Sequence, residues 1–179
     1  ELKETDFRDL FEEELSRQNY VYVRDVQIDT DVEMHIPDGY VSSIQERLNI
    51  YTEVDKLEHE DQISAFQEQL RDRFGRTPAP VLELFEGLRL RWRCKQFGIE
   101  RVLLKNGKFR AYFVENPQSP FYESIQFKRV LEAVSLHGPA LGLSLKQSST
   151  HLFLVKDGVS NLKSARNLLE ALNPNVEMA

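Results

Sequence analysis

Few residues in this 179-residue chain combine a reactive type with a spacing that could do chemistry. The four histidines, His35, His59, His137 and His151, are scattered, and no two stand four apart as a helical metal pair would. His137 precedes Gly138-Pro139, which reads as a turn. The single cysteine, Cys94, excludes an internal disulfide and a multi-cysteine zinc site. It stands in Trp92-Arg93-Cys94-Lys95, where basic neighbours could lower a thiol pKa, but an ordinary packed helix cysteine is the expectation. A nucleotide hydrolase needs backbone amides around the phosphates, a lysine and a Mg²⁺ ligand. Neither the G-x-x-x-x-G-K-[ST] loop nor G-x-G-x-x-G occurs, and the eight glycines are dispersed at element ends. No catalytic residue, metal or cofactor is therefore expected.

Two charged groupings remain. Arg89, Arg91, Arg93 and Lys95, with Trp92 among them, have the composition of a nucleic-acid stripe. On a helix, residues two apart diverge by about 200°. The four charges therefore split around the helix, as a solvated basic flank beside a core Trp92, with an ion-pair contact to a partner left open. The other grouping is Asp72-Arg73-Phe74-Gly75, in which Phe74 packs inward, Gly75 caps a helix and the charged pair faces out.

These residues must be positioned by elements that the hydrophobic pattern outlines. Asp6 to Arg17 reads as a helix, with Phe7, Leu10, Phe11 and Leu15 at helical spacing. Val21 to Ile36 alternates apolar and polar residues from Val26 onward and reads as extended. Pro37-Asp38-Gly39 breaks it. Three helices follow. Val41, Ile44, Leu48, Tyr51 and Val54 mark the inward face of the first. Ile63, Phe66, Leu70 and Phe74 mark the second, which Gly75 ends as a left-handed cap. The third opens at Pro78 or Pro80, carries Val81, Leu84, Phe85, Leu88 and Trp92, and closes at Gly98. Asn106-Gly107 is a strong hairpin signal between Ile99–Lys105 and Lys108–Glu115. Tyr122 to Leu136 is helical, with Ile125, Val130, Leu131 and Val134 inward. Leu141–Lys146 and Leu152–Lys156 form a second strand pair, and Ser160 to Leu172 is a last amphipathic helix. The fold class is α+β: an N-terminal strand and three-helix segment, then short antiparallel strands with two further helices. Residues 1–25 read as a helical lead-in from a preceding domain, 26–172 as the domain itself, and 173–179 as a frayed tail.

Composition is that of an ordinary globular protein, 41% hydrophobic and 29% charged. No apolar run approaches the ~20 residues of a membrane span, no secretory signal opens the chain, and a cytoplasmic setting is expected. The opening at Glu1 suggests a piece of a longer protein. The net charge of −6 hides an asymmetry: residues 1–60 carry 17 acids against 6 bases, and residues 61–179 carry 12 acids against 17 bases. An acidic first third suits a basic protein partner better than phosphates.

One set of strings resembles a known family. Asp31-Val32-Glu33, Pro37-Asp38-Gly39-Tyr40-Val41, Arg47-Leu48 with Tyr51, Leu70-Arg71-Asp72-Arg73-Phe74-Gly75 with Pro78 and Pro80, and Leu88-Arg89 before Gly98-Ile99 are similar, in order and spacing, to the C-terminal (TRCF) domain of bacterial transcription-repair coupling factors. The resemblance runs from about Val26 to Leu172. It implies a parent that is an ATP-dependent DNA translocase, which displaces stalled RNA polymerase and recruits UvrA for nucleotide excision repair. It implies that this domain is not itself an enzyme but an autoinhibitory module, docked within the same polypeptide on the N-terminal UvrA-binding module and masking it. Acidic groups on the helix leading into Asp72-Arg73-Phe74-Gly75 are implied to face basic residues there. Asp72 matches one such position. The position three residues earlier is Gln69 rather than an acid, so the contact passes to Asp72 with Glu68 or the acidic first third. The candidate interface is Asp72, Glu68, Gln69 and Arg73, while Pro37, Tyr40, Arg47, Tyr51, Phe74 and Gly75 are assigned to the fold. An accessory DNA-binding domain of the same translocase is the alternative, motivated by the basic excess after residue 60. A small hydrolase with a site built from distant residues is a third possibility, and needs a pocket holding two titratable groups with shifted pKa values.

Overall fold

The computed structural model describes residues 21–172, so the helix expected over Asp6–Arg17 and the tail beyond Leu172 lie outside the described residues. The first strand, β1 (Gln27–Thr30), is far shorter than the extended run expected over Val21–Ile36. The alternation itself continues: Val32 and Met34 are half-buried and Ile36 is buried, while Asp31, Glu33 and His35 are exposed. What stops is the ladder. The Thr30 hydroxyl accepts from the Val32 amide at 3.1 Å and bends the chain away, and the His35 amide then donates to the Pro80 carbonyl at 3.2 Å. Alternation records which way side chains face, not where backbone hydrogen bonds go.

The first helix, α1 (Ile44–Asp55), is capped by Ser43, whose hydroxyl accepts from the Glu46 amide at 3.3 Å. Its inward face differs from the expected one. Ile44 and Leu48 are 68% and 55% exposed, and Ile50 and Val54 are buried instead. Two polar side chains set the rotation. The Arg47 guanidinium donates to the Val41 carbonyl at 2.6 Å, and the Tyr51 hydroxyl accepts from the Ile36 amide at 2.7 Å. These bonds draw positions 47, 50, 51 and 54 onto the core. The second helix, α2 (Glu60–Phe74), buries Ile63, Phe66 and Leu70 as its spacing predicts. Gly75 ends it at φ +86°, ψ −159°, a conformation open to glycine but outside the left-handed helical well that was expected.

The third helix, α3 (Ala79–Phe97), has Pro80 in its first turn and Gly98, at φ +72° and ψ 28°, as its cap. A side chain at Gly98 would fall inside the Phe121 ring. The inward stripe expected from Val81 to Trp92 is only half of its buried surface. Val81, Phe85 and Leu88 face α1 and α2, whereas Leu90, Cys94 and Phe97 face the sheet. The helix is a wall between two cores.

Strands β2 (Ile99–Lys105) and β3 (Lys108–Phe113) form the expected hairpin, with Asn106 and Gly107 at φ +55° and +72°. A 3₁₀ turn (Pro120–Glu123) leads into α4 (Ile125–Leu141). This helix starts three residues later than expected because Ser124 caps it, its hydroxyl accepting from the Phe127 amide at 3.1 Å. It also runs five residues further, so His137-Gly138-Pro139 is helix rather than turn. Pro139 is tolerated because it lies in the last turn, where Leu143 N–H donates to the Gly138 carbonyl at 2.9 Å and closes the end. Ile125 and Leu131 are only half-buried; Val130, Ala133, Val134 and Gly138 make the inward face. Strands β4 (Ser144–Gln147) and β5 (Leu152–Asp157) precede the last helix, α5 (Leu162–Leu172).

The sheet order is β1-β2-β3-β5-β4. β1 runs parallel to β2, and the other pairs are antiparallel. This is the α+β architecture that the pattern of elements implies. Val102, Leu104, Phe109, Ala111 and Leu154 point to one side, where α3, α4 and α5 cover them. Among the described residues no helix is long and apolar enough to cross a membrane.

Candidate functional site

The residues singled out on α2 lie opposite its buried face. With Ile63, Phe66 and Leu70 inward, positions 68, 69 and 72 point to solvent, and Glu68, Gln69 and Asp72 are all exposed. Among the described residues none of the three has a side-chain hydrogen bond or ion pair. Glu68 and Asp72 are one turn apart, so their carboxylates share one surface. Arg73 is different. Its guanidinium bonds Glu46 on α1 at 3.0 Å and lies 4.8 Å over the Phe74 ring. It is thereby tied to its own domain, while its neighbour Asp72 is unengaged.

The framework of this face is local and polar. Tyr40 O–H donates to the Leu70 and Gly75 carbonyls at 3.3 and 3.2 Å, closing the end of α2, and its ring lies 5.7 Å from that of Phe74. The Pro37 carbonyl accepts from the Tyr40 and Val41 amides. At the other end, the Gln62 side chain accepts from the Glu58 and His59 amides at 2.7 and 3.2 Å. Glu60 and Asp61 in the first turn and Arg71 and Arg73 in the last oppose the helix dipole favourably.

The three arginines of the basic group on α3 are not the solvated flank expected. Arg89 bonds Glu60 through two nitrogens, at 2.9 and 2.5 Å, and Glu86 at 3.0 Å. Glu86 also accepts from Arg166 of α5, which reaches Glu170, and Glu170 accepts from Arg93. Arg91 stands 3.8 Å from Asp55. Side-chain exposures of 16–18% at Glu86, Arg89 and Arg166 show that the centre of this chain of charges is largely shielded. Hydrogen bonding to Arg89 holds the Glu60 carboxyl below its usual range, and Glu60 in turn raises Arg89. The stripe failed as a nucleic-acid track because α2 and α5 supply acids on both flanks of α3. Cys94 is fully buried, and burial pushes its thiol pKa up, opposite to activation.

A groove of about 930 Å³ opens at one end of the sheet, lined by Phe113, Tyr122, Phe127, His151, Leu152 and Glu100 among others. Burial, and secondarily Glu100, push the Tyr122 phenol up, and its hydroxyl donates to the Val114 carbonyl. Among the described residues no three His, Cys, Asp or Glu side chains come together to hold a metal ion.

Sequence reasoning missed the other face of the sheet, which carries Arg101, Lys105, Lys108, Arg110 and Tyr112. Its signal was available in the period-two spacing of charged residues along Ile99–Lys105 and Lys108–Phe113.

Comparison with known proteins bears on the chain as a whole. Residues 30–124 match the family model of the TRCF domain. A transcription-repair-coupling factor of Mycobacterium bovis is 34% identical over 79 residues, which are 44% of this chain and 6% of that protein. Its counterpart in Staphylococcus haemolyticus is 22% identical over 148 residues, 82% of this chain and 12% of that one. The chain thus spans a small fraction of the length of these relatives. In fold it is similar to a crystal structure of the C-terminal domain of a transcription-repair coupling factor, with a TM-score of 0.65 at 22% identity, covering 83% of this chain and 91% of the other.

Proposed function

The chain belongs to the TRCF-domain family, and from that premise we propose that it is a regulatory domain that docks, through the outward face of α2, on the N-terminal UvrA-binding module of its own parent polypeptide. The parent in this reading is an ATP-driven DNA translocase that displaces stalled RNA polymerase and recruits UvrA. The docked domain masks the recruiting surface until polymerase is engaged. Residues 26–172 are the domain, and what precedes them connects it to the motor.

The observation that supports the reading is the contrast on α2. Glu68 and Asp72 are exposed and unpaired among the described residues, in a domain that ties Arg73, Arg89, Arg93 and Arg166 to its own acids. Two carboxylates one turn apart suit a basic partner surface, and exposed charge pairs provide specificity and reversibility more than affinity. Tethering within one polypeptide supplies the effective concentration that weak pairs need, and a coupling of about 1–3 kcal/mol is enough to switch between masked and open states.

The test is titration of the full chain with the isolated UvrA-binding module at low salt, followed by calorimetry. Association that weakens with salt, drops at least tenfold with Asp72→Arg and strengthens with Gln69→Glu is expected. No association at low salt, or association indifferent to Asp72→Arg, overturns the reading.

A further inference from the structure

The sheet has a second face that no described element covers. Helices α3, α4 and α5 all pack on the side of Val102, Ala111 and Leu154. The residues that alternate with these point the other way. Strand register sorts them into rows that cross the sheet. Arg101 of β2 pairs with Tyr112 of β3, Tyr112 with Phe153 of β5, and Phe153 with Lys146 of β4. One row therefore reads cation, aromatic, aromatic, cation. In the next row Arg110 stands between Leu103 and Val155, and beyond it Lys105 pairs with Lys108.

The two rings are neighbours, with centroids 5.2 Å apart and planes inclined by 34°. The Arg101 guanidinium lies 5.9 Å from the Tyr112 centroid and is held by Asp29 at 2.9 Å. Both rings are half-buried, so each still presents surface to solvent. At the outward strand positions five cations, Arg101, Lys105, Lys108, Arg110 and Lys146, face two acids, Asp29 and Asp157, in a chain whose net charge is −6. The sheet concentrates positive charge around a pair of rings on an otherwise acidic protein.

We propose that this open face, with Tyr112 and Phe153 as its stacking platform and Arg110 and Lys146 as phosphate contacts, binds single-stranded DNA. An unstacked strand offers what the face matches: a polyanionic backbone and free base faces for two rings. A duplex does not fit. Five strands at about 4.8 Å spacing span about 19 Å, wider than the ~12 Å major groove, and paired bases keep their faces stacked. The Tyr112 hydroxyl and the His151 ring, 5.5 Å from that of Tyr112, are the polar groups beside the platform that could meet a ribose 2′-hydroxyl, so an oligouridine arm is needed to separate DNA from RNA. This surface is separate from Glu68 and Asp72 on α2, so the inference does not depend on the docking reading.

The experiment is fluorescence anisotropy of a labelled oligothymidine titrated with the full chain at low salt, repeated as salt is raised. Saturable binding is expected, with log K falling by about 0.7 per phosphate contact for each unit of log salt. Tyr112→Ala should weaken it roughly 5- to 150-fold, the range of one lost base stack. Arg110 is exposed, so Arg110→Glu keeps the fold and tests the same surface if Tyr112→Ala does not; a loss of tenfold or more is expected. Asp72→Arg should leave binding within twofold. No saturable binding at low salt, an unchanged affinity for Arg110→Glu, or equal competition by duplex DNA or polyglutamate would overturn the proposal. Tighter binding to oligouridine would overturn the assignment to DNA.

Discussion

The helical lobe, α1 and α2 with the first half of α3, and the sheet lobe that takes the second half are built on different scales. Ten buried residues from Ile36 to Leu88 make the core of the first, against twenty-four in the second. The small core is supplemented by side-chain bonds to backbone, from Tyr40, Arg47 and Tyr51. The large one rests on sheet pairing and on an aromatic group around Phe121, whose ring lies 5.2–6.2 Å from those of Tyr22, Phe113, Tyr122 and Phe127. Both candidate binding surfaces follow from this division. The α2 face belongs to the lobe with the smaller core, the one better suited to local opening, and the basic sheet face belongs to the lobe with the larger core.

The largest expected effect would break the comparison outright. Phe85 is fully buried and packs edge-on to Phe66 at 6.2 Å. Phe85→Ala should cost roughly 3–5 kcal/mol in chemical denaturation, and hydrogen exchange should speed up in α1 and α2 before β3 and β5. Loss of protection in both lobes together would mean that they unfold as one unit. Gly98→Ala comes next, at roughly 1–3 kcal/mol, because it combines a left-handed φ with collision against Phe121. Its cost should appear in the sheet lobe, read by labelling of Cys94, whose buried thiol should react only on opening.

Smaller effects sharpen the comparison at the seam. Glu86 bonds Arg89 and Arg166 while only partly exposed, so Glu86→Ala should cost about 1–2 kcal/mol, between an exposed pair and a fully buried one. A double-mutant cycle with Arg166→Ala should recover much of that as coupling. Glu60 adds a pH dependence. Arg89 lowers its folded pKa, so its contribution is present above the unfolded carboxylate value and is lost as pH falls through the lower folded one. Melting temperature should therefore fall more steeply below about pH 4 in the parent than in Glu60→Gln. Because Glu60 is largely exposed, this difference is the smallest of the set.

How legible was all this in the sequence? The positions and types of most elements were, because period, caps and turn residues act within a few residues of one another. Ile63-x-x-Phe66 with Leu70 on α2, and Asn106-Gly107 in the hairpin, behave as their spacing predicts. The departures have separate causes. α1 turned its face because Arg47 and Tyr51 found backbone partners outside the helix. α4 ran through Pro139 because the end of a helix tolerates what its middle does not. On α2, the spacing of Ile63, Phe66 and Leu70 already turned Asp72 outward, and what the structure added is that Arg73 bends back to Glu46 while Asp72 does not.

The sequence by itself determined the α+β class, the hairpin, the glycine that closes α3, and the strings that carry the likeness to the TRCF domain, since each is written in neighbouring residues. The tertiary structure alone decided which charges are satisfied and which are free. Arg101 meets Asp29 across 72 positions, Arg93 meets Glu170 across 77, and Arg166 meets Glu86 across 80. Those pairings depend on strand order and on which helices flank α3, and no local period encodes them. The same long-range arrangement left Asp72 unpaired among the described residues and set Tyr112 beside Phe153 on the other face of the sheet.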